Sequence, residues 1–265
     1  MNIEVIEESD KHLRFIVREV SVAFINTLRR VIKSEVPTMA IDIVNYVENS
    51  SALYDEMLAL RLGLVPLKTD LETYVTQDKC SCKGEGCGNC TCSFVLNVRG
   101  TPEGYVVNSS ELQSKDPSIV PCYDKIPLVY LLSHQRVELE AIARLGRGKE
   151  HVKWQPGIVG YKHIAILNVD EDKCTSCKKC VEICPRGVLT VKKRIPVLKN
   201  EYDCSLCRDC EKICEAGAIK IDKDVSSFVM TVESFGQLTP RTMIEKAVEI
   251  IEEKIKGFQK SVKDI

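Results

Sequence analysis

The stretch from Cys174 to Cys214 constrains the chain more than any other part, because it states one pattern twice. Cys174-Thr-Ser-Cys177-Lys-Lys-Cys180-Val-Glu-Ile-Cys184-Pro185 returns thirty positions on as Cys204-Ser-Leu-Cys207-Arg-Asp-Cys210-Glu-Lys-Ile-Cys214-Glu215. Both copies continue into glycine and a short alternating run, Gly187-Val-Leu-Thr-Val191 and Gly217-Ala-Ile-Lys-Ile221. Each copy therefore reads as a cysteine loop, one helical turn and a strand. The N-terminus, MNIEVIEESDKHLRF, is charged from its fourth residue and lacks the apolar stretch of a signal peptide, so a cytoplasmic protein is expected. In that compartment a chain of this size needs no disulfide framework, and clusters among its fourteen cysteines more often bind metal or do redox work.

A C-x2-C-x2-C loop wraps tightly enough to aim three thiolates at one iron–sulfur cubane, and the fourth cysteine of each run reaches the other cluster. The predicted ligand sets are Cys184, Cys204, Cys207 with Cys210, and Cys174, Cys177, Cys180 with Cys214. The first set fits the pattern better, because proline follows its remote cysteine (Pro185 after Cys184), whereas Glu215 follows Cys214. Residues 168–223 thus resemble a bacterial-type ferredoxin domain. Zinc or disulfides on the same cysteines are the alternatives. The clusters can be 4Fe-4S or 3Fe-4S, one or two in number; a three-iron form needs three thiolates and would release Cys207.

An earlier cluster, Cys80-Ser-Cys82-Lys-Gly-Glu-Gly-Cys87-Gly-Asn-Cys90-Thr-Cys92, has glycines that let a short loop fold back on itself. Four thiolates at C-x-C-x4-C-x2-C spacing suit a closed tetrahedral zinc site of structural type, with Cys92 spare; disulfides within the loop, or free thiols, are the other readings. Cys122, in Val-Pro-Cys-Tyr, reads as a small buried apolar residue.

Around these cysteines the pattern is that of an α+β protein. Leu13 to Arg18 alternates as a half-buried strand, and Ser21 caps a helix whose Phe24, Ile25, Leu28, Val31 and Ile32 share one face. Pro37 ends that helix, and Ala40 to Val47 is a further strand. A second helix spans about Tyr54 to Leu62 and is expected to stop in a left-handed turn at Gly63. Phe228 to Glu233 is a strand, and Thr239-Pro240 opens a long helix ending near Val262. Its residues Ile244, Val248, Ile251, Ile255, Phe258 and Val262 advance by three or four, a stripe suited to the chain's own core or to a partner helix. With 37 basic and 38 acidic residues the net charge is −1, so a strong electrostatic attachment to nucleic acid or anionic lipid has no global support. No apolar run approaches the length of a membrane span.

Three further segments resemble one family in order along the chain. They are Asn26-Thr-Leu-Arg-Arg-Val-Ile-Lys-Ser-Glu-Val-Pro-Thr-Met-Ala-Ile-Asp42, Asp55-Glu-Met-Leu-Ala-Leu-Arg-Leu-Gly-Leu-Val-Pro-Leu67 and Gly148-Lys-Glu-His-Val-Lys-Trp154. Followed by Phe228-Val-Met-Thr-Val-Glu233, they look like the signature segments of the archaeal RNA polymerase D-subunit family, which includes the third subunit of eukaryotic RNA polymerase II and the amino-terminal domain of the bacterial α subunit. The resemblance implies a discontinuous dimerisation domain (1–40 and 224–265), a second α-subunit-like domain (41–167) carrying the 80–92 loop, and the ferredoxin-like module (168–223). It implies a heterodimer with the small subunit L, with subunit N and the two large catalytic subunits as further partners; with the near-neutral charge, no direct sequence-specific nucleic-acid contact is expected. Phe24, Leu28, Ile32, Ile244, Val248, Ile251 and Ile255 then become interface, and Arg29 and Arg30 contacts to a large subunit.

The chain carries no Asp-x-Asp-x-Asp motif for the paired metal ions that nucleotidyl transfer needs, so catalysis is expected on the large subunits of the complex. The competing reading is a ferredoxin-like electron-transfer protein. The cysteine repeat supports it, and the absence of a G-x-G-x-x-G dinucleotide fingerprint counts against it.

Overall fold

The computed structural model describes residues 1–263, and alternating and helical periodicities divide these described residues into twelve strands and five α-helices. In chain order they begin β1 (Asn2–Glu8), β2 (His12–Arg18), α1 (Val22–Ser34), β3 (Pro37–Asn49), α2 (Asp55–Gly63) and β4 (Thr91–Arg99). Next come β5 (Tyr105–Asn108), β6 (Gln113–Ser114), β7 (Pro127–Leu131), β8 (Arg136–Arg147) and β9 (Gly157–Val169). The cysteine repeat contributes α3 (Lys179–Glu182), β10 (Leu189–Lys192), β11 (Ile195–Leu198) and α4 (Asp209–Lys212), and the chain finishes with β12 (Ile219–Ser234) and α5 (Pro240–Lys263).

These elements gather into two compact units. The first takes in residues 1–8, 13–27 and 160–231; the second takes in 9–12, 28–159 and the chain from Val232 onward. In the first unit a four-stranded sheet runs in the order β1-β2-β12-β9. Ile16, Ile164 and Val229 form a buried cluster on it. The β10–β11 hairpin, α3 and α4 belong to the same unit, where Leu189, Ile219 and Ile221 pack with Cys180 and Cys210. The cysteine repeat is therefore joined to a sheet. β12 shows how: the alternation that starts at Ile219 meets no glycine or proline, so the strand predicted from Phe228 extends back through residue 224 to the end of the second cysteine copy.

In the second unit β8 is an inner strand of a sheet ordered β3-β8-β4-β6, all antiparallel. Its strict alternation buries Val137, Leu139, Ala141, Ala143 and Leu145 on one face, where Met39, Ile41, Phe94, Leu96 and the α2 residues Leu58 and Leu62 complete the core. The register of β3 on β8 shifts between Ile41 and Ile43 and again between Tyr46 and Glu48, which bends the longer strand. Beyond the sheet edge Trp154 is buried, its Nε1 donating to the Arg144 carbonyl at 3.2 Å. Its ring lies so close to Gly146 that a Cβ there would come within 2.3 Å of it.

The predicted helix starts are present. Ser21 Oγ accepts from the Phe24 amide at 3.2 Å, and Thr239 Oγ1 accepts from the Thr242 amide at 3.2 Å ahead of the first-turn Pro240. The predicted left-handed stop at Gly63 is not present. Gly63 is buried inside α2 and the helix closes on Leu64 in the right-handed region (φ −88°); the turn is made by ordinary helical bonds to the Leu60 and Arg61 carbonyls. Cys122 is half-buried rather than enclosed, with burial still pushing its thiol up to about 11.

Candidate metal centres and pairing surface

The 80–92 loop is shaped by a short 3₁₀ turn at Gln77–Lys79 and by three backbone reversals. Lys83 (φ 52°), Gly84 (φ 93°) and Gly86 (φ 88°) all lie on the left-handed side, and the Lys83, Glu85 and Cys90 amides donate to the Cys80, Cys82 and Cys87 carbonyls. The result brings four sulfurs together. Cys80 Sγ is 3.5 Å from Cys87 and 3.4 Å from Cys82, Cys82 is 3.5 Å from Cys90, and Cys87 is 3.9 Å from Cys90. A disulfide brings two sulfurs to about 2.05 Å. A tetrahedral ion with bonds of about 2.3 Å holds four sulfurs about 3.8 Å apart, and the four sulfurs of the loop, all within 4.8 Å of one another, lie close to that arrangement and well outside disulfide distance.

The electrostatics of the loop differ from sulfur to sulfur. The Cys82 thiol is drawn down to about 5, first by the Cys87 amide and then by the Cys80 thiol and the Gly86 amide. Burial, with Cys82 next to it, pushes the fully enclosed Cys90 up to about 12. A dication bound among them would remove the proton from both, the thiolate being the ligating form. Cys92 is outside the cluster. It is a core residue of β4, 4% exposed, with its sulfur 3.5 Å from Ser114 Oγ.

The two copies of the cysteine repeat fold alike in detail. Ser176 and Leu206 share φ of 58°, Lys178 and Arg208 stand at 62° and 64°, and Gly187 and Gly217 at 59° and 61°. The Gly187 amide donates to the Cys184 carbonyl and the Gly217 amide to the Cys214 carbonyl, at 3.0 and 2.9 Å. Each loop crosses to the remote cysteine of the other copy. Cys174, Cys177, Cys180 and Cys214 line one hollow of about 330 Å³, and Cys184, Cys204, Cys207 and Cys210 line another of only about 10 Å³. In both, the middle cysteine of the loop, Cys177 or Cys207, is the exposed one. The roomier hollow is the one without the proline; the tighter one is walled by Val188, Leu189, Leu198 and Ile221. Four thiols around one hollow are a donor set that suits an iron–sulfur cluster.

Sequence patterns gave no hint of what steadies the second loop. Arg14 of β2 reaches Asp203 Oδ1 at 2.6 Å and the Tyr202 carbonyl at 3.0 Å, and Arg18 reaches Glu201 at 2.9 Å. Lys162 of β9 donates to the Cys204 carbonyl at 3.1 Å. The three cations fix the segment that leads into Cys204. The only signal was that Arg14 and Arg18 sit on the polar side of an alternating strand, which by itself reads as a solvated face.

The apolar residues of α1 and α5 that the sequence assigns to an interface do not form a single exposed stripe. In α1, Ile25, Leu28, Val31 and Ile32 are buried in the chain itself, whereas Phe24 is 41% exposed and Arg30 is on the surface. Arg29 is intermediate in exposure. In α5, Pro240, Met243 and Ala247 are buried, Ile244 and Ile251 are half-buried, and Val248, Ile255, Phe258 and Val262 lie open. The helix thus has two apolar faces, one spent on its own unit.

The sequence matches the family model for the RNA polymerase Rpb3/Rpb11 dimerisation domain over residues 14–255. It is 44% identical to DNA-directed RNA polymerase subunit Rpo3 of Archaeoglobus fulgidus over 99% of this chain and 98% of that protein. The Rpo3 of Methanosarcina acetivorans is 41% identical, covering 96% of this chain and 95% of that protein. The Rpo3 of Aeropyrum pernix is 34% identical, over 100% and 96%. No helix among the described residues is long and apolar enough to cross a membrane. With a match that runs from β2 into α5 and takes in both cysteine regions, the chain belongs to the RNA polymerase Rpb3/Rpb11 dimerisation-domain family, beside the archaeal Rpo3 proteins.

Proposed function

We propose that this chain is a non-catalytic assembly subunit of a cytoplasmic DNA-dependent RNA polymerase of archaeal type. It pairs with the small subunit L, and the pair is the platform on which the two large catalytic subunits assemble, with subunit N alongside. Residues 1–40 and 224–265 form the dimerisation domain, 41–167 the second domain and 168–223 the ferredoxin-like module. The observation that carries this reading is the open face of α5, where Val248, Ile255, Phe258 and Val262 project apolar surface from a helix already anchored by Met243 and Ala247. Apolar side chains at helical spacing on an exposed face mark a helix awaiting another helix. Phe24 of α1 is a further open apolar side chain.

The metals in this reading are structural or regulatory. Cys80, Cys82, Cys87 and Cys90 hold one zinc ion, which fixes a loop that has almost no apolar core of its own. Cys174, Cys177, Cys180 and Cys214, and likewise Cys184, Cys204, Cys207 and Cys210, hold iron–sulfur clusters. A bound cluster supplies a one-electron redox centre and a covalent tie between the two cysteine copies. The chain's own contribution is to hold each loop in its left-handed turns and to place the remote cysteine opposite it.

Co-expression with a candidate L subunit tests the assembly reading. A stable heterodimer is expected from the natural chain. Changing Ile251 and Ile255 to Asp is expected to abolish it, because each carboxylate would be buried unpaired at the helix–helix contact. A soluble monomer that cycles its clusters reversibly and shows no affinity for L would instead identify a ferredoxin-like electron carrier.

A further inference from the structure

The two cysteine copies share their left-handed turns, and two of the positions where they differ flank a cysteine directly. The thirty-residue offset sets Lys179 of the first copy against Asp209 of the second, and Pro185 against Glu215. Around the hollow of Cys174, Cys177, Cys180 and Cys214, Lys179 belongs to the loop that carries three of the cysteines and Glu215 directly follows the fourth. Lys179 Nζ donates to Glu215 Oε1 at 2.6 Å. Around the other hollow the loop residue is Asp209, which turns along its own helix to Lys212 at 3.2 Å, and the residue after the remote cysteine is Pro185.

We propose that the Lys179–Glu215 ion pair is a latch that closes the Cys174/Cys177/Cys180/Cys214 site, in the place where Pro185 fixes the other. The inference rests on the iron–sulfur reading of these cysteines. Pro185 restrains the chain leaving Cys184 through its ring, which fixes φ and limits the residue before it. Glu215 has no ring, so the chain leaving Cys214 is held through its side chain, by a cation on the opposing loop. The pair bridges the two segments that must separate before Cys214 can swing away. A ring is indifferent to salt, whereas an exposed ion pair is screened by it. The two sites therefore differ in kind: retention of the cluster at the first depends on ionic strength and at the second does not. Lys179 and Glu215 are positioning residues, since neither supplies a ligand atom.

The test uses the full chain, reconstituted with iron and sulfide without oxygen and assayed for both. Loss of iron to a chelator is followed by the visible absorption, in a background with Cys204 and Cys210 changed to Ser so that the latched site alone remains. Raising the salt from about 0.05 M to about 1 M, which shortens the screening length several-fold, is expected to speed iron loss about two- to five-fold, the range of an exposed pair. Glu215→Gln and Lys179→Met are expected to lose iron at the fast rate at low salt, with no further response to salt. Exchanging the charges (Lys179→Glu with Glu215→Lys) restores slow, salt-sensitive loss, and Glu215→Pro gives slow loss that ignores salt. If the Cys204/Cys210 background does not fold, the two phases of the intact chain serve, with only one responding to salt. Iron bound by every protein and lost at the natural rate from Glu215→Gln and Lys179→Met would overturn the latch and leave the cluster reading standing. No iron bound by the natural chain would overturn both.

Discussion

Single residues carry the chemistry of the 80–92 loop. The Cys87 and Gly86 amides and the Cys80 thiol favour the thiolate of Cys82, while burial favours the protonated thiol of Cys90, so binding of a dication at this loop would release protons. One zinc per chain is expected, measured by atomic emission on the purified protein, and Cys90→Ser is expected to lose it and to open the loop to protease. Zinc retained in full by Cys90→Ser would refute the four-sulfur site. A second residue-scale prediction concerns Asp42, whose carboxylate accepts from Lys153 at 2.6 Å and Arg144 at 2.7 Å, the two cations that also lie over the Trp154 ring. Burial opposes its ionisation, but the bonds to Lys153 and Arg144 outweigh it and hold its carboxyl below the usual value. A lowered folded value means stability that is fully present above the unfolded value near 4 and is lost as pH falls through the folded one. Asp42→Asn should therefore cost about 2 kcal/mol at neutral pH, and urea melts should show the deficit shrinking below about pH 4.

Among the elements, α5 carries a buried apolar face and an exposed one along one helix. Met243 is fully buried and Phe258 is 71% exposed, so truncation to alanine should have opposite profiles. Met243→Ala is expected to destabilise the isolated chain by about 2–4 kcal/mol, and Phe258→Ala by less than about 0.5. Binding to L should reverse the order of importance, with Phe258→Ala weakening the complex by on the order of 1–2 kcal/mol in calorimetric titration. Equal effects of Phe258→Ala on the free chain and on the complex would remove the second face. The periodicity of α5 was legible because caps and spacing are local, and Ser21, Thr239 and Pro240 act through bonds to their own helices. What periodicity does not encode is which of two neighbouring stripes meets the core: Met243 and Ala247 lie one position from Ile244 and Val248, and only the tertiary fold chooses between them. Gly63 illustrates the same limit, since a glycine after an apolar helix signals a left-handed end, whereas here it lies within the helix and is buried.

For the whole molecule, the cysteine repeat could be read almost entirely from spacing, because residues that share a metal site in a tight loop are written close together. The two sets of four were derivable from the crossing rule, and the structure gathers those same residues around separate hollows. The supports of that module were not derivable. Arg14 and Arg18 lie far along the chain from Asp203 and Glu201, and nothing local distinguishes an anchoring arginine from a solvated one. The near balance of 37 basic and 38 acidic residues acquires a meaning at this scale, since a subunit that binds other subunits has no need of a field that attracts DNA. Pairing through the open face of α5 would make this chain half of a heterodimer. Native mass spectrometry of the full chain co-expressed with L reads this out: a single species of one chain of each is expected, dispersed by the Ile251→Asp, Ile255→Asp variant. A spectrum with this chain only as a monomer, or only as its own homodimer, would contradict it.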